Sequence, residues 1–178
     1  MSERARIAYA DPPYPGCAHL YADHPDYAGE VDHRALAFSL LEYDGWCLHT
    51  SSTALEDVLG WLRMAHHSDF RIMPWVKPFA AFKRNVSVAY AWEPMIVKAA
   101  RKPVVKPGMT YRDWIAEPIT LRRGLTGAKP DRVCRFLFEV MGCEAADELH
   151  DLFPGTGAVM RAWEAWRSQL NLLAGGAV

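Results

Sequence analysis

The chain has 178 residues, 51% of them hydrophobic, with 20 Lys and Arg against 21 Asp and Glu and a formal charge of −1. That length suits one domain, residues 1–178, with a core of its own, and leaves no room for two independent domains. The charged start Met1-Ser-Glu-Arg-Ala-Arg6 is no signal peptide and no apolar run approaches a membrane span, so a cytoplasmic protein without membrane contact is expected.

In chain order, Arg6-Ile-Ala-Tyr-Ala10 is a short apolar run cut off by Asp11-Pro12-Pro13-Tyr14. It predicts a buried strand ending in a rigid loop. Each proline fixes φ and donates no hydrogen bond, so the pair holds its carbonyls outward beside a carboxylate and a ring. Acceptors next to a stacking face suit a planar base with an exocyclic amino group, stacked on Tyr14 and bonded to Asp11 and the Pro12 carbonyl. Residues 15–31 show no hydrophobic period and predict a long loop over this pocket. Tyr21, His24 and Tyr27 either edge the base there or pin the loop to the surface, two readings of equal standing.

Asp32 predicts the N-cap of a helix running to about Tyr43. Trp46–His49 reads as a strand, and Thr53–Met64 as an amphipathic helix after the Thr50-Ser51-Ser52 turn, whose hydroxyls suit helix capping. Phe70–Val76 is a further strand, with Pro74 marking an edge or a bend. This alternation predicts a mostly parallel sheet with right-handed crossovers. Val86–Trp92 and Met95–Val97 read as two short strands joined at Pro94 in an antiparallel hairpin.

The charge is unevenly placed. Lys98 to Arg135 holds ten Lys and Arg against three acids, +7, while the rest of the chain holds ten against eighteen, −8. Within the aperiodic stretch of about 99–126 this suggests a small target-recognition segment, with Lys98, Arg101, Lys102, Lys106, Arg122 and Arg123 as phosphate contacts and Tyr111 or Trp114 stacking or wedging. A solvated polar surface is the plainer alternative.

Lys129-Pro130 opens a helix over Asp131–Met141. Then Asp151-Leu-Phe153-Pro-Gly155-Thr-Gly157 leads into a helix through Met160, Trp163, Trp166 and Leu170. Glycines between strand and helix let a ligand approach the backbone at a helix N-terminus. Cys17, Cys47, Cys134 and Cys143 show neither paired spacing nor a disulfide framework, and His66, His67 and Asp69 follow a helix where polar residues gather, so no metal is expected.

Asp11-Pro-Pro-Tyr14, Lys129-Pro130 and the Asp151 to Gly157 motif, in that order, resemble the S-adenosylmethionine-dependent amino-group (adenine or cytosine) DNA methyltransferases of the permuted order, in a short, phage-type form. The similarity runs from about residue 5 to 167. It implies an α/β fold with a Rossmann-like methyltransferase sheet, mostly parallel with one antiparallel strand, circularly permuted and truncated at the C-terminus. It also implies methylation of adenine in DNA, in restriction-modification or phage DNA modification, because Asp opens the motif more often in adenine enzymes. Asp11, Pro12, Pro13 and Tyr14 are then the catalytic residues, and Asp11, Lys129, Asp151, Phe153, Gly155 and Gly157 the cofactor-binding ones. Trp92-Glu93-Pro94 is similar to a later strand of adenine methyltransferases. RNA methylation, or a degenerate domain that binds nucleic acid or protein, are the alternatives.

The match departs after the glycines. The family continues with two strands, the first ending in an acid for the cofactor ribose. Here only Leu170–Leu173 is strand-like and no such acid follows. Weakened cofactor binding is expected, and a homodimer or another partner covering the strand that ends at Asp151.

Overall fold

Strand β1 (Arg6–Ala10) buries both faces: Ile7 and Tyr9 turn to one side of the sheet, Ala8 and Ala10 to the other. A strand with two covered faces belongs at the middle of a layered α/β fold. The structure, a computed structural model, describes residues 3–22, 29–79, 86–120 and 128–175.

Five further strands follow: β2 (Gly45–His49), β3 (Arg71–Val76), β4 (Trp92–Lys98), β5 (Ile115–Ala116) and β6 (Glu148–Asp151). They form one sheet in the order β5-β3-β4-β2-β1-β6. Strands β1, β2 and β6 are mutually parallel, and β4 runs against both β2 and β3. This is the expected Rossmann-like α/β architecture, mostly parallel with one antiparallel strand.

Helices cover both faces. On one lie α1 (His33–Ser39) and α2 (Leu55–Met64), whose Leu36, Val58 and Leu62 meet Ala8, Trp46, Leu48 and Ile96. On the other lie α3 (Asp131–Val140) and α4 (Ala158–Gly175), whose Phe138, Trp163 and Trp166 rings pack with Ile7, Cys47 and Val97. Asp32 caps α1, accepting from the Ala35 N–H at 2.8 Å. Ser51 Oγ accepts from the Ala54 N–H at 3.1 Å, just ahead of α2. The capping role read for this turn is not observed: α2 begins at Leu55 with Ala54 as its N-cap and no side-chain cap, and the Ser51 hydroxyl closes the turn before the helix. No helix among the described residues is long and apolar enough to cross a membrane.

The expected hairpin at 86–97 is instead a single strand, β4, which passes straight through Pro94. Pro94 stands opposite Pro74 in the antiparallel register, so the two missing N–H donors fall on one rung. Pro74 behaves as an edge position although β3 is not the last strand, because β5 pairs only with Trp75 and Val76. Strand β5 itself lies in the stretch read as aperiodic. Leu170–Leu173, the expected late strand, belongs to α4, where Leu170 continues the helical stripe of Trp163 and Trp166. Among the described residues β6 is therefore an outer strand, as expected.

Beyond β4 the chain is held by Arg101. Its guanidinium binds Asp147 with both terminal nitrogens, at 2.5 and 3.0 Å, and also donates to the carbonyls of Gly142 and Glu3. Asp147 is 3% exposed and accepts as well from the Ala5 and Glu144 N–H groups. Arg101→Ala would leave that carboxylate buried without its cation. A loss of about 3 kcal/mol of unfolding free energy is expected, measurable by urea denaturation.

Candidate active site

Four strand ends converge on one rim of the sheet. Asp11 follows β1, His49 closes β2, Glu93 lies at the start of the reversed β4, and Asp151 closes β6. In a parallel sheet this carboxyl-end rim is where ligands bind. Tyr9 pairs with Asp151 in register, so Asp11 and Asp151 stand on neighbouring strands.

Glu93 is the hub. It is 4% exposed, accepts from His49 Nδ1 and Lys77 Nζ at 2.7 Å each, and from Lys129 Nζ at 2.9 Å. Burial pushes its pKa up, yet Lys129, His49 and Lys77 together hold the carboxyl well below its ordinary value. Lys129 reaches in the other direction to Asp11 Oδ1, also at 2.9 Å. Burial works against its charge, but Asp11 and Glu93 keep the ammonium protonated, with a pKa well above the usual one. His49 Nε2 completes the chain with the Tyr9 hydroxyl at 2.9 Å. The Trp75 ring lies under both ammonium groups, 4.5 Å from Lys77 Nζ and 5.3 Å from Lys129 Nζ.

Asp11, whose side chain is 22% exposed, bonds Lys129 through Oδ1, and its Oδ2 accepts no hydrogen bond from the described residues. Tyr14 is half-buried near it, its phenol beside Glu93 and its pKa raised by burial. Pro12 is buried and Pro13 half-buried. One ligand-type atom each of Asp11, His49 and Glu93 lies within 4.8 Å of the others, a grouping that a metal ion could use. Lys129 Nζ already supplies positive charge between the two carboxylates.

The second half of the site surrounds Asp151. Its Oδ1 accepts from the Phe153 N–H at 3.3 Å, while Oδ2 is buried with no partner among the described residues. Burial, with a further push from Asp11, raises its pKa to about 6. A buried, unpartnered carboxylate oxygen is an acceptor suited to a cationic donor. Phe153 packs on the core beside β1. Gly155 and Gly157 have φ of +44° and +69°, the left-handed region, and α4 starts at the next residue. A Cβ on Gly155 would meet only the Phe153 carbonyl, at 3.8 Å, so the backbone there is open to a close neighbour.

The structure thus brings Asp11, Tyr14 and Lys129 together and sets Asp151, Phe153, Gly155 and Gly157 on the adjacent strand end. Lys129, read as cofactor-side, directs its ammonium to Asp11 and Glu93. The basic residues fall elsewhere. Lys98 pairs with Trp46 at the opposite, amino end of the parallel strands, and Arg101, Lys102 and Lys106 follow it there, with Arg101 committed to Asp147. Arg122, Arg123, His24 and Tyr27 lie outside the described residues. Tyr21 lies in the short 3-10 turn Ala18–Tyr21. His67 Nε2–H donates to the Ala37 carbonyl at 2.9 Å, inside the core.

Sequence reasoning missed Glu93, His49, Tyr9 and Lys77. Two signals were present: an acid inside an apolar strand, and a histidine closing another. Glu93→Gln is expected to cost about 3–5 kcal/mol of stability by leaving the ammonium groups around it short of a counter-charge. A double-mutant cycle with Lys129→Met, followed by urea denaturation, should give a coupling of about 1–3 kcal/mol.

No family model and no curated protein matches the sequence. Solved structures do match in fold. A crystal structure of the M1.HpyAVI–SAM complex superposes with a TM-score of 0.60 at 16% identity, covering 92% of this chain and 79% of that one. A crystal structure of M1.HpyAVI gives 0.57 at 16% identity, covering 92% and 78%. At this identity the likeness is one of architecture.

Proposed function

We propose that the protein is a site-specific adenine methyltransferase, transferring a methyl group from S-adenosylmethionine to the exocyclic amine of adenine in DNA. One observation carries the reading. Two carboxylates end neighbouring parallel strands, Asp11 with an Oδ2 that accepts no hydrogen bond from the described residues and Asp151 with a buried, unpartnered one. The first suits the hydrogens of an amine and the second a cation. The catalytic motif precedes the cofactor motif along the chain, the permuted order of the resemblance, and the solved SAM complex of like fold agrees with this choice of cofactor.

Bound S-adenosylmethionine would supply an electrophilic methyl group. Asp151 would accept its ammonium, Phe153 would pack against it, and the turn through Gly155 and Gly157 would admit it to the backbone. Asp11 Oδ2 and the Pro12 carbonyl accept the two amine hydrogens. This draws the nitrogen out of the ring plane and exposes a lone pair otherwise delocalised. Tyr14 stacks on the base. Lys129, anchored by Glu93, fixes Oδ1 so that the Asp11 carboxylate keeps one orientation. The rate gain comes from positioning and electrostatics.

Calorimetric titration of the full chain with S-adenosylmethionine tests the cofactor half. Saturable binding that is lost in Gly155→Val is expected. Heat indistinguishable from dilution, with or without DNA, would reduce the site to a nucleic-acid or protein-binding remnant.

A further inference from the structure

At the amino ends of the parallel strands, the opposite end of the sheet from Asp11, the described residues line an open cavity of about 430 Å³. That size falls within the range of small-ligand sites. Its floor is apolar, made by Met73 of β3, Val97 of β4 and Val140 of α3, all buried. Phe70 and Tyr111 add ring surface, and the Tyr111 hydroxyl donates to the Val104 carbonyl at 3.4 Å, tying the loop after β4 to the wall.

The charges lining it are mostly positive, with the Glu139 carboxylate set behind the wall at the Tyr111 hydroxyl. Arg71, Lys102 and Arg112 line the cavity against a single carboxylate, Asp69. Arg71 and Lys102 make no ion pair or hydrogen bond among the described residues, and Arg112 has only the Trp114 ring, 5.3 Å from its guanidinium. The three cations are exposed at the rim of the apolar floor, a field that favours an anion over a cation there. A ligand that satisfies both surfaces combines a compact negative group with a flat apolar body.

We infer that this cavity binds a nucleoside phosphate, with the base on the apolar floor beside Phe70 and Tyr111 and the phosphate on Arg71, Lys102 and Arg112. A free nucleotide and one nucleotide unit of a strand share this chemistry. The site stands apart from the Asp11 rim, so its occupant is neither the base at Asp11 nor the cofactor. The inference holds whether or not the proposed methylation does.

Calorimetric titration of the full chain with AMP, with ribose 5-phosphate and with a short single-stranded oligonucleotide tests it. AMP or the oligonucleotide should bind saturably and ribose 5-phosphate much more weakly. Arg71→Ala with Lys102→Ala should weaken the binding about tenfold or more, at an unchanged melting temperature. Binding of AMP identifies a free-nucleotide site, and binding of the oligonucleotide alone identifies a strand contact. For the strand, the slope of log affinity against log salt should fall by about one per cation removed. Arg112→Gln serves as a second variant should the double one unfold. Absence of saturable binding by either nucleotide probe overturns the proposal, as does equal affinity for ribose 5-phosphate or undiminished binding by the folded variants.

Discussion

Asp11→Ala is expected to abolish methyl transfer, by about 1,000-fold or more, while the protein stays folded. The side chain lies at the end of β1 rather than inside it, and it is held by an ion pair to Lys129. Lys129 keeps Glu93 as a partner, so the ammonium is not stranded by the loss. The acceptor for the amine disappears, and with it the force that exposes the nitrogen lone pair. Single-turnover transfer of labelled methyl, alongside a melting curve, separates the two effects. Retained transfer in a folded variant would remove Asp11 from the mechanism.

Asp151→Asn is expected to act in opposite directions on stability and on cofactor affinity. The folded protein raises the Asp151 pKa from 3.8 to about 6, chiefly by burial. It therefore holds the proton more tightly than the unfolded chain does. The stability contributed is present in full below the unfolded value and is lost as pH rises through about 6. At neutral pH the wild type carries a buried charge with an oxygen that lacks a partner, and the asparagine variant does not. The variant should melt at a higher temperature than wild type at pH 7 and show no such gain at low pH. Cofactor affinity should move the other way, falling about 10- to 100-fold through loss of a charge-assisted hydrogen bond. In the wild type, affinity should rise with pH through about 6 as the carboxylate ionises, and in the variant it should be flat across that range. Equal affinities in the two proteins would mean that Asp151 meets no cation.

The part of this site readable along the chain is the part built from neighbours in sequence. Asp11-Pro-Pro-Tyr14 and Asp151 to Gly157 each occupy one strand end, so their residue types and order already carry the geometry. Asp32 was readable for the same reason, since capping is local. Glu93 was not. It reaches His49, Lys129 and Asp11 only because β4 turns back and slots between β2 and β3, and no hydrophobic period announces that insertion. Pro94 pointed toward a break, and its effect is absorbed by the facing Pro74. The basic stretch shows the converse limit. Its charge was plain, but charge carries no information about which end of a sheet it decorates, and Lys98 and Arg101 lie at the end away from Asp11.

The outer position of β6 among the described residues matters for the same site, because Asp151 and the glycine turn hang from that strand. Its Glu148 and His150 side chains pair with each other at 3.0 Å, and Glu148 also meets Arg4. Charged side chains of this kind discourage open-ended strand pairing. The geometry around Asp151 and the glycine turn then rests on β1 and α4, which pack against β6 from within the chain.

The central claim is that the Asp11 and Asp151 halves act together on one amine. It is tested most directly by nucleoside mass spectrometry of DNA and RNA incubated with S-adenosylmethionine and either wild-type protein or Asp11→Ala. The predicted result is N6-methyladenine in DNA with the wild type alone. Methylated RNA with unmodified DNA would move the substrate, and unmodified adenine in both, from protein that binds the cofactor, would contradict the claim.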